Sequence, residues 1–210
     1  MRGQFITIEG QDGAGKSTNL AVMQSFLEEQ NVDFLVTREP GGTRFGETLR
    51  EVLLSSSDDV ICDMSELLIV FAARAQHIEQ VIEPALKSGK WVLCDRFTDA
   101  SYAYQGGGRG INNAHIAQLE QMVQSSLRPD LTLLLDLPVT VGESRAGQRS
   151  DPDRFEQQQQ AFKQRVRDSY LNIAERDKER MLVINADQTM LDVESDIRQA
   201  MQLFWDTQNG

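Results

Sequence analysis

The sequence predicts an α/β fold in which helices cover both faces of a five-stranded parallel sheet. Five short apolar segments alternate with longer helical patterns along all 210 residues. The segments are apolar at consecutive positions, which is typical of strands buried on both faces. The helical stretches between them supply the crossover connections that parallel strands need. We therefore predict one three-layer α/β/α domain over residues 1–210.

The predicted strands and helices follow one another in regular order. The strands are predicted at residues 5–8, 34–36, 91–94, 131–135 and 181–184. The helices are predicted at residues 17–30, 44–54, 64–87, 113–126, 154–177 and 190–205. Pro84 is expected to kink or break the third helix near its end, because its ring clashes with the preceding turn.

Two segments interrupt this regularity and are predicted to be loops. Residues 105–110, QGGGRG, are dense in glycine, which predicts a mobile loop. Residues 145–154 mix three arginines with glycine, serine and proline, which predicts a flexible excursion between two helices. Both are candidates for function, since binding and catalytic residues often lie on loops.

Composition limits the expected partners. Twenty-one basic against 32 acidic residues give a net charge of −11, so a long polyanion such as nucleic acid is not expected to bind. The longest apolar run, residues 67–73, is too short to cross a bilayer, so no membrane partner is expected. The residues after Met1 do not show the basic stretch followed by an apolar stretch that is typical of a signal peptide. Cys62 and Cys94 are not spaced as in metal-binding or redox motifs. We therefore expect a cytoplasmic protein.

The strongest motif is a phosphate-binding loop between the first strand and the first helix. Residues 10–17, GQDGAGKS, match the pattern G-x-x-x-x-G-K-[ST]. Glycines let successive backbone N–H groups face phosphate oxygens, while the helix N-terminus and a lysine add positive charge. This predicts a P-loop NTPase-type fold and a site for a nucleoside triphosphate, which the resemblance described below implies is ATP. The predicted ATP-binding residues are Gly10, Gln11, Asp12, Gly13, Ala14, Gly15, Lys16, Ser17 and Thr18.

The loop does not by itself identify a reaction, because GTPases, ATPases and small-molecule kinases share it. The N-K-x-D segment that reads guanine in GTPases is absent from the sequence. Asp12 places a carboxylate inside the loop, where a phosphate about 4–5 Å away would be repelled by several kcal/mol. Asp12 is therefore expected to face a neighbouring pocket and accept a hydrogen bond from a hydroxyl. The alternative is a solvated loop carboxylate.

Four further side chains suggest a second, anionic ligand. Arg38 and Arg96 closely follow the second and third strands, whose ends should lie beside the phosphate loop. Each offers a planar donor fork suited to phosphate. Phe71 and Arg74 share one face of a helix and could stack on a base and donate to its carbonyl. They could equally be a core phenylalanine and an arginine whose stem lies along it.

These segments together resemble the bacterial thymidylate kinases, which make dTDP from dTMP and ATP. The resemblance covers essentially the whole chain. It rests on EGQDGAGKST, TREPGGT, FAAR, DRF followed by SYAYQGGGRG, RPDLTLLLDLP and the arginine-bearing segment. It implies phosphoryl transfer from ATP to dTMP, with Mg²⁺ as the cofactor. A homodimer and a mobile lid at about residues 145–154 are also implied.

The resemblance also implies roles for individual residues around the acceptor phosphate and sugar. Asp12 matches the loop acid that binds the 3′-hydroxyl of the deoxyribose. Arg38 and Arg96 match the arginines that hold the 5′-phosphate. Asp95, together with Ser17, would organise Mg²⁺.

A second group of residues is implied at the base. Phe71 matches the ring that stacks on thymine, and Arg74 the donor to its O4. Ser101 falls where a polar side chain reads the thymine edge. Tyr104 falls where an aromatic ring crowds C2′ and disfavours ribonucleotides, with Gln105 beside it.

Catalysis is expected to rest on charge rather than on a covalent intermediate, because phosphoryl transfer needs positioning and charge neutralisation. The predicted catalytic residues are Lys16, Arg96, Arg145 and Arg149. Relatives with a small residue where Ala14 stands take their catalytic arginine from the lid, and Arg154 is expected to pair locally. Two alternatives remain at this stage: a kinase for dUMP, UMP or CMP, and a non-catalytic module that only binds ATP.

Overall fold

A computed structural model of the protein describes residues 2–55, 61–147 and 153–209. It contains five parallel strands in the order β2-β3-β1-β4-β5. The strands are β1 Phe5–Gly10, β2 Phe34–Arg38, β3 Trp91–Asp95, β4 Leu131–Asp136 and β5 Met181–Asn185. All five predicted strands are therefore confirmed, and each extends one or two residues further at its carboxyl end than predicted. The α/β fold with a parallel sheet is also confirmed.

The register brings the carboxyl ends of the strands together at one edge of the sheet. Arg38 of β2 lies beside Asp95 of β3, and Gly10 of β1 lies beside Leu135 of β4. The phosphate loop follows β1, the central strand, so it is flanked by residues that follow β3 and β4. This arrangement places the predicted site residues on one side of the molecule.

Helices cover both faces of the sheet. They are α1 Lys16–Glu29, α2 Arg44–Leu54, α3 Asp63–His77, α4 Glu83–Lys87, α5 Thr98–Ser101, α6 Asn113–Gln124, α7 Val139–Ala146, α8 Gln160–Arg176 and α9 Met190–Asn209. On one face, Ile6 and Ile8 pack with apolar side chains of α1 and α9. On the other face, Phe5 packs near the end of α3 and Leu134 packs against α8. None of the helices in the described ranges is both long and apolar enough to cross a membrane.

The long helix predicted at residues 64–87 is divided in the structure. Ile78–Ile82, between α3 and α4, forms a π-helical segment. Pro84 lies at the start of α4, which continues directly from this segment. The expected break near Pro84 is thus a local widening of the helix just before the proline.

The prediction of a mobile loop at residues 105–110 is wrong. Tyr102–Gly108 forms a second π-helical segment that packs against α8. A β-carbon on Gly107 would lie 2.6 Å from the Ser169 β-carbon, and one on Gly108 would lie 2.6 Å from the Phe162 ring. The glycines are therefore explained by close helix packing rather than by loop flexibility.

The segment between β4 and α8 also differs from the prediction. Helix α7, which ends at Ala146, was not predicted and takes up the start of the predicted lid. Helix α8 begins at Gln160 rather than at Arg154, because Asp153 caps a turn by accepting from the backbone N–H groups of Phe155 and Glu156 at 2.8 and 2.9 Å. Residues 148–152 lie outside the described part of the chain.

Candidate active site

The phosphate loop is tightly folded and stabilised by its own lysine. Gly13 and Gly15 have φ angles of 79° and 86°, which favour glycine. A β-carbon on Gly13 would lie 2.2 Å from the carbonyl oxygen of Gly142 in α7, so the loop also requires glycine for close approach. Lys16 Nζ donates to the carbonyl oxygens of Gly10 and Gln11 at 3.0 Å each. The loop backbone therefore curls around the ammonium group.

The Lys16 ammonium lies in a region of competing charges. Burial and the neighbouring Arg96 guanidinium lower the pKa of Lys16 to about 8, while Asp12 and Asp95 act in the opposite direction. The side chain is only 7% exposed, so little water is available to solvate its charge. An anionic phosphate beside this group would favour its protonated form.

Asp12 contacts the arginine that follows β3. Arg96 Nη2 donates to Asp12 Oδ1 at 2.7 Å and to the Tyr104 hydroxyl at 3.3 Å. Arg96 has a φ of 68°, and its backbone N–H donates to the carbonyl oxygen of Ile8 at 3.0 Å. Asp12 lines a neighbouring cavity and a second one. The expected hydrogen bond from its carboxylate to a substrate hydroxyl stays a prediction.

A cavity lies next to Asp12 and Arg96. Its lining brings together six residues that were predicted from the sequence. They are Asp12, Arg74, Arg96, Ser101, Tyr104 and Gln105. These residues come from the loops after β1 and β3 and from three helical segments, so the sheet edge and the helices beside it build the cavity jointly.

Buried hydrogen bonds hold the Arg74 guanidinium, but one of its nitrogens has no partner among the described residues. Its Nε donates to Glu39 Oε2 at 2.7 Å, and its Nη2 donates to the carbonyl oxygen of Phe97 and to Ser101 Oγ at 3.1 and 3.0 Å. Arg74 Nη1 is buried, and no acceptor in the described part of the chain reaches it. A buried donor without a partner is costly, which indicates a ligand acceptor in the adjacent cavity.

The structure does not bring Phe71 into this cavity. Phe71 is 2% exposed and packs in an apolar cluster with Leu67 and Ile116. The Arg74 guanidinium lies over its ring, 4.6 Å from the centroid. Val70, one position earlier on α3, lines the cavity. Phe71 therefore lies in the core against Arg74, and its stacking on a base stays a prediction.

Arg38 also lies apart from the cavity. Its side chain is 53% exposed and donates to Glu47 Oε2 at 2.7 Å. It lines a separate surface pocket together with Ser17 and Asp95. Arg38 and Arg96 therefore line different pockets, although both follow strands on the same side of β1.

Ser17 and Asp95 both line that same surface pocket. Asp95 Oδ1 is buried, and the described residues offer it no hydrogen-bond donor. A serine hydroxyl and a carboxylate are the ligand types that a hard divalent cation prefers. The residues present therefore fit Mg²⁺.

Arg50 is a candidate residue that the sequence analysis missed. It lines the cavity beside Asp12 and Arg96, and its Nη1 donates to the carbonyl oxygen of Pro40 at 3.0 Å. Burial lowers its pKa, and the positive charges of Arg38 and Arg96 add to this effect. A signal was available, because Arg50 follows Gly46 by four positions and precedes Leu53 by three. These two residues are buried, so Arg50 lies on the inner face of α2.

Glu9, directly before the phosphate loop, was also missed. Its buried carboxylate accepts from the backbone N–H of Phe97 and from the Tyr170 hydroxyl, both at 2.7 Å. Burial, followed by the nearby Asp99 carboxylate, raises the pKa of Glu9 to about 8. Glu9 therefore connects β1, the loop after β3 and α8 directly beneath the site.

The predicted lid arginines are only partly described. Arg145 lies in the last turn of α7, and its Nη1 donates to the carbonyl oxygen of Ala186 at 2.9 Å. Arg149 lies outside the described residues. Arg154 donates to Glu66 Oε2 at 2.6 Å, so the expectation of local pairing is replaced by a long-range ion pair.

Comparisons with known proteins find relatives that match nearly the whole chain. The family described as thymidylate kinase matches residues 8–197. A thymidylate kinase from Ectopseudomonas mendocina is 56% identical over 197 residues, which cover 94% of each chain. One from Pseudomonas syringae pv. tomato is 52% identical over 210 residues and the full length of both chains.

A solved structure supports the same assignment at the level of the fold. The crystal structure of thymidylate kinase from Ehrlichia chaffeensis superimposes with a TM-score of 0.76 at 33% sequence identity. The match covers 96% of this chain and 99% of that one. With the family match and the curated relatives, it shows that this chain belongs to the thymidylate kinase family.

Proposed function

We propose that this protein transfers the γ-phosphoryl group of ATP to the 5′-phosphate of dTMP and releases dTDP and ADP. The observation that carries the proposal is that the phosphate loop meets the neighbouring cavity at Asp12, whose Oδ1 lies 2.7 Å from Arg96 Nη2. Two anionic substrates bound on either side of this contact would have their phosphates close together. Such proximity is the main requirement of phosphoryl transfer.

The donor half of the site would be formed by the loop from Gly10 to Thr18. Backbone N–H groups and Lys16 would hold the ATP phosphates. Ser17 and Asp95 would hold Mg²⁺, which supplies charge neutralisation at the phosphates when bound. The uncapped first turn of α1 supports this role, because no side chain occupies the backbone donors that face the loop.

The acceptor half would be the cavity beside Asp12 and Arg96, which we call the acceptor cavity. Arg96, with Arg50 nearby, would hold the 5′-phosphate, and Asp12 would accept from the 3′-hydroxyl. The unpartnered Arg74 Nη1 would donate to thymine O4 beside Ser101 and Gln105. Tyr104 would crowd C2′. Val70 takes the place beside the base that the sequence analysis gave to Phe71, and Arg38 is proposed to act on the phosphates from the surface pocket instead.

No general base is required, because the acceptor phosphate oxygen is already ionised near neutral pH. Arg96, Arg145 and Arg149 are proposed to neutralise the charge that spreads over the transferring group, as arginines do in other phosphoryl transferases. Arg145 lies at the end of α7, which contacts the phosphate loop at Gly13. This position supports its inclusion.

The cellular setting and assembly belong to the same proposal. We expect a homodimer in the cytoplasm, with a lid at about residues 145–154. Exposed apolar side chains on α3, Met64 and Leu68, could contribute to the contact between subunits. Analytical ultracentrifugation would test the dimer.

A panel of acceptors tests the proposed reaction. ADP release should be measured with ATP and Mg²⁺ and with dTMP, dUMP, UMP or CMP in turn. The proposal predicts the fastest turnover with dTMP. Equal rates with UMP would remove the base and sugar assignments, and the absence of any dTMP-stimulated release would overturn the proposed function.

A further inference from the structure

Glu66, outside the candidate site, is a fully buried carboxylate on which three other segments converge. Gln105 Nε2 donates to Glu66 Oε1 at 2.9 Å, and Arg109 Nη2 donates to Oε2 at 3.0 Å. Arg154 Nη2 donates to Oε2 at 2.6 Å. The Glu66 side chain is 0% exposed, so its charge depends entirely on these partners.

The partners of Glu66 form two walls of the acceptor cavity. Gln105 lines the cavity directly. Arg154 Nε also donates to the carbonyl oxygen of Leu53, which lines the cavity at the end of α2. Glu66 thus lies behind the cavity and connects the π-helical wall with the wall built by the end of α2.

The residue after Arg154 extends the second wall. The Arg154 guanidinium lies 4.9 Å from the centroid of the Phe155 ring. Phe155 lines the cavity and meets Tyr104 edge to face, with 5.7 Å between the ring centroids. The ion pair between Arg154 and Glu66 therefore fixes the aromatic surface against which a bound nucleotide would lie.

An ordinary structural ion pair would stabilise the protein without favouring one substrate. The Glu66 contacts are asymmetric in this respect. Among the described residues, Gln105 and Leu53 line the acceptor cavity and not the surface pocket around Ser17 and Asp95, whereas Phe155 lines the acceptor cavity and also a second cavity beside Asp12. A substitution at Glu66 should therefore weaken the binding of the acceptor more than the binding of ATP.

We propose that Glu66 is a positioning residue for the acceptor. It sets the shape of the dTMP cavity by holding Gln105 on one side and the Arg154–Phe155 segment on the other. This inference rests on the proposed function, because the cavity is taken as the dTMP site. Glu66 itself contacts neither substrate in this account and acts through its three partners.

The test compares Glu66→Gln with Glu79→Gln, which makes the same charge change at an exposed position of the following helical segment. Glu66→Gln keeps the size of the side chain, removes the carboxylate that pairs with Arg154, and leaves Arg109 with the more distant Asp63 at 3.6 Å. We expect KM for dTMP to rise at least tenfold while KM for ATP stays within about twofold. Glu79→Gln should leave both values unchanged.

A second variant covers the case in which Glu66→Gln fails to fold. Arg154→Gln removes one partner and leaves Glu66 paired with Arg109, and it should also raise KM for dTMP selectively. Where both variants fold, the double variant should show a smaller effect than the product of the two single changes, because both disrupt one contact.

The outcomes separate this inference from the proposed function. Wild-type turnover of dTMP with unchanged KM in both variants, or with equal rises in the KM of dTMP and ATP, would overturn the role of Glu66 alone. Absence of dTMP turnover and of dTMP binding by calorimetry in the wild-type protein would overturn both. A selective rise in KM for dTMP in either variant supports the inference.

Discussion

At the residue scale, Asp12 is the side chain that most clearly joins the two halves of the proposed site. It belongs to the phosphate loop, yet its carboxylate accepts from Arg96 at 2.7 Å and lies 3.9 Å from Lys16 Nζ. A carboxylate in this place balances the two cations and also offers an acceptor to a sugar hydroxyl. The charge that looked unfavourable in an anion-binding loop is thus explained by its neighbours.

Replacing Asp12 tests directly whether its carboxylate serves the acceptor half of the site rather than the ATP half. Asp12→Ala should raise KM for dTMP about tenfold or more, because it removes a charged hydrogen-bond acceptor worth about 1.5–3 kcal/mol. ATP affinity, measured by calorimetry, should change by less than about threefold. Asp12→Asn is the matched control, since it keeps the shape and one acceptor. A collapse of ATP affinity with unchanged KM for dTMP would show that Asp12 serves the donor side.

Val70 and Phe71 are neighbours in the sequence with different expected effects. Val70→Ala removes apolar surface from the cavity wall and should raise KM for dTMP severalfold, with a small loss of stability. Phe71→Leu alters the buried cluster and should lower the free energy of unfolding by about 1–2 kcal/mol while KM stays within about twofold. Steady-state kinetics and chemical denaturation would decide. The reverse pattern would restore Phe71 as the ring beside the base.

The two proposed lid arginines are compared with alanine variants. Arg149→Ala should lower kcat by about 10³-fold with little change in KM for dTMP, because an arginine that contacts only the transferring phosphoryl group acts in the transition state. Arg145→Ala should have a smaller effect on kcat if its contact with Ala186 is mainly structural. An unchanged kcat in Arg149→Ala would remove it from the catalytic residues.

At the element scale, the π-helical segment Tyr102–Gly108 is the feature that most shapes the acceptor cavity. Tyr104 and Gln105 line the cavity, while Gly107 and Gly108 face α8 on the other side. The segment can present the two larger side chains to a ligand only because the two glycines let its other side approach α8 closely.

The packing of this segment gives a double-mutant test. In Gly108→Ala the new β-carbon would lie 2.6–2.7 Å from the tip of the Phe162 ring, so the variant should lose about 1–3 kcal/mol of stability. Phe162→Leu removes that ring tip and should itself cost about 1–2 kcal/mol. The double variant should be more stable than the sum of the single losses implies. Strictly additive losses in denaturant unfolding would contradict the packing account.

The elements differ in how far the sequence predicts them. The strands were predictable because buried parallel strands leave consecutive apolar residues. The segment at residues 105–110 was not, because three consecutive glycines have the same composition in a loop and in a closely packed helix. Helix α7 was missed because residues 139–146 are few and follow a strand directly. Arg50 and Val70 were missed for a similar reason. A helical pattern predicts which side chains share a face, but it does not predict which cavity that face lines.

At the scale of the whole molecule, Glu9 couples the site to stability. Its carboxyl is buried among Asp99, Arg96 and Tyr170, and burial raises its pKa from 4.5 to about 8. Between these two pH values the folded state holds a proton that the unfolded state releases. The contribution of Glu9 to the free energy of unfolding is therefore fully present below about pH 4.5 and is lost as the pH rises through about 8.

Glu9→Gln provides the comparison, because glutamine mimics the protonated acid at every pH. The free energy of unfolding of the wild type relative to Glu9→Gln should fall by a few kcal/mol from pH 5 to pH 8.5, in denaturant titrations at fixed salt. Asp99→Asn should reduce the size of that fall, since it removes the nearby charge that adds to the shift. Parallel pH profiles of wild type and variant would contradict the raised pKa.

The two proposed half-sites share one loop, with ATP on the backbone side and dTMP on the side that Asp12 faces. The most direct measurement is identification of both products after the wild-type protein is mixed with ATP, Mg²⁺ and dTMP. The account predicts one dTDP for each ADP, and almost no ADP when dTMP is omitted. ADP formed without an equal amount of dTDP would contradict it, because the protein would then be hydrolysing ATP rather than transferring its phosphoryl group.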